Sequence, residues 1–188
     1  GAAAGTVTAY AIAAILDVIA VKKYTEVLVK NEPNKIIKGI NNFELTKSRT
    51  EIINLKNNKI LINDAYNASV DSMKSSLEIL KNINNGRKIA VLGSMLELGE
   101  FSKKLHEEVG IAVIKNNIDI LITVGNDAKY IANAALENGM NKNLVYSFDD
   151  NKDAIAKLKE ILNDYDAILV KASNGLRFSE IVESLKNE

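Results

Sequence analysis

Residues 49–188 predict an α/β domain with a doubly wound, mostly parallel sheet, and three observations lead there. Short apolar runs alternate with amphipathic helical segments along most of this stretch. The runs are apolar at consecutive positions, as in strands covered on both faces. Right-handed crossovers between such strands then give a doubly wound order. The balance of 47% hydrophobic and 26% charged residues is that of an ordinary globular protein, which excludes a disordered or fibrous chain.

Residues 1–48 read differently, as a short all-helical segment preceding that domain. Residues 7–21 carry Ala and Ile at helical spacing, interrupted by Asp17 and followed by Lys22 and Lys23. This apolar stretch is shorter than the ~20 residues a bilayer requires, so it is expected to pack against other helices rather than act as a targeting or membrane segment. Pro33, the only proline, suits the first turn of a second helix reaching about Asn41. The boundary falls near Ser48.

Thr50 to Leu55 and Lys59 to Asn63 are two strand-like runs joined by Lys56, Asn57 and Asn58, an expected N-terminal β-hairpin because Asn tolerates positive φ. A helix over 70–83 follows from Val70, Met73, Leu77, Leu80 and Ile83, spaced by three or four. Strands are predicted at 88–93, 119–125, 144–148 and 166–171. Helices are predicted at 101–116, 127–138, 151–163 and 176–187.

Several function classes drop out. Lys+Arg and Asp+Glu are equal at 24 each, and no basic run marks a nucleic-acid surface. No Cys and one His remove disulfides, thiol nucleophiles and Cys-based zinc sites. No Gly-x-x-x-x-Gly-Lys-[Ser/Thr], Gly-x-Gly-x-x-Gly or Gly-x-Ser-x-Gly occurs, so neither a phosphate loop, a dinucleotide fingerprint nor a nucleophile elbow is encoded in these residues. His106-Glu107-Glu108 lacks the second His of a metalloprotease helix.

In an open parallel sheet, ligands bind beyond the carboxyl ends of the strands. That selects residues 63–69, 93–100, 125–127 and 172–177. Asp64 and Tyr66 are either ligand contacts or part of a polar turn in which Ser69 or Asn67 caps the next helix. Glu97 and Glu100 either face one cavity or are solvated acids near a helix start. His106 reads as a packed or exposed helical residue. Lys171, Ser173 and Arg177 surround an expected helix start, a candidate anion or carboxylate site, the alternative being a capped helix with surface cations. Only Arg49, Arg87 and Arg177 are arginines, and two of them lie at the boundary and in this loop. Asp149, Asp150 and Asp153 read as helix-start acids rather than metal ligands.

Taken together, Thr46-Lys-Ser-Arg49-Thr-Glu51, Asn63-Asp-Ala-Tyr-Asn-Ala-Ser69 with Asp71-Ser-Met73, Leu92-Gly-Ser-Met-Leu-Glu-Leu-Gly-Glu100, Leu105-His106 with Val109-Gly110, and Leu169-Val-Lys-Ala-Ser-Asn-Gly-Leu-Arg177 resemble the C-terminal region of the Mur ligase family. The match is to the branch that adds D-alanyl-D-alanine to UDP-N-acetylmuramoyl-tripeptide in peptidoglycan synthesis. The resemblance implies a Rossmann-like C-terminal domain at 49–188, with 1–48 as the helical tail of a central ATPase domain. It implies a cytoplasmic enzyme using ATP and Mg2+ to make an acyl phosphate that the dipeptide amine attacks, with magnesium ligands expected in the central domain. It implies nucleotide contacts from Arg49, Asp64, Tyr66 and Asn67, and substrate contacts from Lys171, Ser173 and Arg177. Neither a catalytic residue nor a metal ligand is assigned within these residues. The partners implied are the two substrates and the N-terminal and central domains of the same protein, with neither nucleic acid nor membrane.

The chain departs from the family pattern at Ser94, where Asp is usual, at Val70, where Pro is usual, and at Ala172 to Gly175, where the pattern is Gly-Ser-Arg-Gly. Asn174 thus replaces an arginine. Phosphoryl transfer depends on the phosphate loop and metal, so the isolated chain is expected to turn nothing over. The alternative reading is a free-standing, non-catalytic α/β ligand-binding module on the same fold. A related ligase acting on folate or another muramyl precursor is disfavoured by the residue 63–69 and Leu-Glu-Leu-Gly blocks.

Overall fold

Among the described residues six short strands assemble into one sheet, the four inner ones largely apolar and buried on both faces. A computed structural model describes residues 50–187. All of them fall in the unit Leu45–Glu188. The expected helices before residue 48, the boundary there and Arg49 lie outside the described residues.

In chain order the elements are β1 (Glu51–Asn54), β2 (Ile60–Asp64), α1 (Val70–Asn82), β3 (Lys88–Gly93), α2 (Ser102–Lys115), β4 (Ile120–Val124), α3 (Lys129–Glu137), β5 (Val145–Phe148), α4 (Asn151–Ile161), β6 (Ala167–Lys171) and α5 (Ser179–Lys186). The strand order across the sheet is β1-β2-β6-β3-β4-β5. Only β1 runs antiparallel to its neighbour, pairing with β2; the others are parallel. This is the expected mixed, mostly parallel α/β arrangement.

Alternation along the strands divides the core in two. Ile62, Ala90, Leu92, Leu121 and Leu169 pack on one face against Met73 and Leu77 of α1, Val109 and Val113 of α2, and Ile131 of α3. Leu61, Val91, Ile122, Ile168 and Val170 pack on the other against Leu158 of α4 and Ile181 and Val182 of α5. Helices thus cover both faces, as near-continuous apolar strands require.

Side chains that sequence reasoning placed at element ends cap them. Ser69 accepts from Ser72 N–H at 3.4 Å, and Ser72 Oγ accepts from Ser69 N–H at 2.9 Å, a reciprocal cap on α1. Asp150 accepts from Asp153 N–H at 3.0 Å at the start of α4, so these acids serve the helix. Gly110 lets α2 meet α3 closely, since a Cβ there would lie 2.3 Å from the Ile131 carbonyl oxygen. Among the described residues no helix is long and apolar enough to cross a membrane.

The amino ends of the strands are pinned by Arg87, just before β3, and Asp166, just before β6. Arg87 Nε donates to Asp166 Oδ1 at 3.0 Å and Nη2 donates to Oδ2 at 2.7 Å, a bidentate pair. Nη2 also lies 2.7 Å from the Ile161 carbonyl oxygen, to which it donates. The hydrogen bonds to Asp166 raise the Arg87 pKa above its ordinary value, against the smaller opposing effect of burial.

Candidate functional site

The opposite end of the sheet is where the loops after β2, β3, β4 and β6 gather. β2 and β6 are parallel neighbours, with Asp64 in register with Lys171 at their last residues. Residues in register share a face, so both side chains turn toward α1. Lys171 Nζ donates to Asp64 Oδ2 at 2.5 Å and to the Asn67 carbonyl at 3.0 Å. Ser76 of α1 donates its hydroxyl to Oδ2 at 2.7 Å. The Thr50 N–H donates to Oδ1 at 3.1 Å. Lys171 is only 2% exposed, so this ion pair sits largely out of water and its geometry must be held by these further hydrogen bonds.

A cavity of about 430 Å³ opens beside the pair, lined by Asp64, Tyr66, Asn67, Ser72, Ser76 and Lys171 among others. A second, of about 290 Å³, is lined by Tyr66, Asn67, Leu96, Glu97, Ser173, Asn174 and Gly175. Tyr66 and Asn67 border both.

The loop after β3 is held by groups from three directions. Met95 N–H donates to His106 Nε2 at 2.9 Å, while His106 Nδ1 donates to the Ser102 carbonyl at 2.7 Å. These partners assign the proton to Nδ1 and make His106 a neutral, fully buried positioning group. Leu96 N–H donates to Ser173 Oγ at 3.0 Å, and Ser94 Oγ accepts from Ala128 N–H at 3.0 Å. Ser94 therefore ties the β3 loop to the start of the α3 segment.

The sequence-derived candidates separate into groups. Asp64, Tyr66 and Asn67 come together on the first cavity, and Lys171 lies with them rather than beside Ser173. Ser173 lines the second cavity, as does Glu97, whereas Glu100 lines neither. Arg177 is exposed, lines neither cavity and makes no ion pair among the described residues. The helix expected to open at 176 opens at Ser179 instead. Residues Asn174–Leu176 form a 3-10 turn that Arg177 ends in the left-handed region at φ 53°. The helix-start amides therefore lie beyond Lys171 and Ser173, which corrects the expected helix start. The Asp64–Lys171 pairing and the role of His106 were not foreseen. The Asn63–Ser69 and Lys171–Arg177 blocks marked their loops but carried no signal of which strands are neighbours.

The model of the Mur ligase glutamate ligase domain matches residues 48–174. Among curated proteins, the chain is 36% identical over 154 residues to the UDP-N-acetylmuramoyl-tripeptide--D-alanyl-D-alanine ligase of Bacillus subtilis, covering 81% of this chain and 34% of that protein. Among solved structures, it resembles the MurF ligase from Thermotoga maritima in complex with ADP at a TM-score of 0.64 and 27% identity, covering 78% of this chain and 32% of that one. It also resembles a MurF structure from Acinetobacter baumannii at a TM-score of 0.66 and 25% identity, covering 81% and 33%. The chain spans about a third of the length of the curated relatives it matches.

Proposed function

Because the chain belongs to the Mur ligase family, we propose that it acts as the C-terminal domain, residues 49–188, of an ATP-dependent amide ligase joining D-alanyl-D-alanine to UDP-N-acetylmuramoyl-tripeptide. Residues 1–48 then end the central ATPase domain of that protein. The observation that carries this reading is the pair of cavities at the carboxyl edge of the sheet sharing Tyr66 and Asn67. A ligase must bring an activated carboxyl group and an amine together while keeping their binding sites distinct.

In this reading the first cavity takes part of the nucleotide. A carboxylate offers about four lone-pair sites, and Asp64 commits three of them to Thr50, Ser76 and Lys171. The remaining one accepts from a nucleotide hydroxyl, with Tyr66, Asn67 and Arg49 completing the contact. The second cavity takes the dipeptide, with Ser173 as a direct contact and Arg177 at its approach. Lys171 acts on that side through Asn67, whose carbonyl it holds.

The reaction has two steps. A carboxylate oxygen of the tripeptide attacks the γ-phosphorus of ATP, releasing ADP and leaving an acyl phosphate. The dipeptide nitrogen then attacks the acyl carbon, loses a proton, and phosphate departs as the amide forms. This domain positions the partners. Among the described residues no group of three His, Asp or Glu residues is placed to hold a metal, so none is assigned to magnesium.

The test is ADP release by the whole gene product. Release is expected only when both the UDP-linked tripeptide and D-alanyl-D-alanine are present, and release with D-glutamate in place of the dipeptide would overturn the reading. The 188-residue chain alone carries no Gly-x-x-x-x-Gly-Lys-[Ser/Thr] loop and is expected to release none.

A further inference from the structure

Two carboxylates line the two cavities, and their surroundings are opposite. Asp64 is 7% exposed and neutralised by buried Lys171. Glu97 is exposed, and its side chain has neither an ion-pair nor a hydrogen-bond partner among the described residues. Among the described residues it is also the only charged one lining the second cavity. Its backbone stands at φ 65°, a left-handed conformation that a non-glycine residue keeps only where its surroundings hold it. The two preceding amides, Met95 and Leu96, are held by His106 Nε2 and Ser173 Oγ. Glu97 thus presents an unpaired carboxylate to a cavity whose other described lining residues are uncharged, a setting that suits a cation.

We propose that Glu97 is the specificity residue for the amine substrate, receiving its primary ammonium group at the mouth of the second cavity. Ser173 and Asn174, across the same cavity, offer donors to the substrate's carboxylate end. Ion pairing there seats the ammonium group beside Tyr66 and Asn67 before it gives up a proton to water and the free amine attacks. This deepens the ligase reading and rests on it for the identity of the amine.

The experiment is a titration of the 15N-labelled 188-residue chain, followed by backbone amide shifts. D-alanyl-D-alanine is expected to move the amides of residues 95–99 and 173–175. N-acetyl-D-alanyl-D-alanine, which has no ammonium group, is expected to bind about fivefold more weakly, the upper end for an exposed charge pair. In Glu97→Gln the two probes should bind equally, while Glu97→Asp keeps part of the preference. Dipeptide binding at these amides that is unchanged by Glu97→Gln overturns the ammonium site and leaves the ligase reading standing. Binding of D-glutamate through Glu97, with no response to the dipeptide, keeps the ammonium site and ends the dipeptide reading. No movement of these amides with either amine overturns the site.

Discussion

β6 is anchored by a buried carboxylate pair at each end, and the two pairs differ in what surrounds them. At its amino end Asp166 meets Arg87 in a bidentate fork, and the same carboxylate accepts from Asn163 N–H at 2.8 Å. At its carboxyl end Lys171 meets Asp64 beside a cavity. Arg87 keeps about a third of its side chain in water, with 36% exposed, while Lys171 keeps 2%. The first pair is a strand staple whose cation is still partly solvated. The second places a desolvated lysine where it fixes a carboxylate at the edge of a binding space. The chemistry of an ion pair is the same at both ends, and its role is set by what opens beside it.

Lys171→Met tests the carboxyl end most severely. It leaves Asp64 buried without its cation and is expected to cost about 3 kcal/mol in urea unfolding, the low end for a broken buried pair because Ser76 and Thr50 still donate. His106→Leu removes the acceptor for Met95 N–H and is expected to cost about 2 kcal/mol, the penalty of an unsatisfied buried amide. Amide shifts of residues 95–97 should move with it, and His106→Gln should restore part of both if its side-chain oxygen reaches the same N–H. Arg87→Met breaks the amino end. Because the guanidinium is partly in water, the expected loss is smaller, about 1–2 kcal/mol, with dipeptide-induced shifts at residues 173–175 unaltered. A change in those shifts would show that the two ends of β6 are coupled.

The pH dependence sharpens the contrast further. Hydrogen bonding to Asp166 raises the Arg87 pKa in the folded state, so its contribution is complete below the ordinary arginine value. It is lost only as pH rises through the higher folded-state value. The stability difference between wild type and Arg87→Met is therefore expected to stay constant between about pH 6 and pH 9, as read by thermal unfolding across that range.

Much of this was legible in the chain. The strand at 88–93 and the helix expected over 70–83, which ends at Asn82, followed from runs and periodicities that depend only on neighbouring residues. The loops bearing Asp64, Glu97 and Ser173 were selected by the rule for carboxyl ends, which needs no knowledge of strand order. The start of the last helix was misplaced by three residues because nothing local signals that Arg177 adopts a left-handed backbone. Glu97 and Glu100 were indistinguishable as acids in one loop until the cavity selected one of them.

Local pattern was enough for the class of fold, the succession of elements and the edge of the sheet where ligands belong, because apolar periodicity is set by residues within one turn or one strand. The insertion of β6 between β2 and β3 was not, and it brings Lys171 against Asp64 across 107 residues of sequence. All four central strands are similarly apolar, so their order and register are chosen by the packing of helices on both faces. That choice alone converts scattered polar residues into two adjoining cavities.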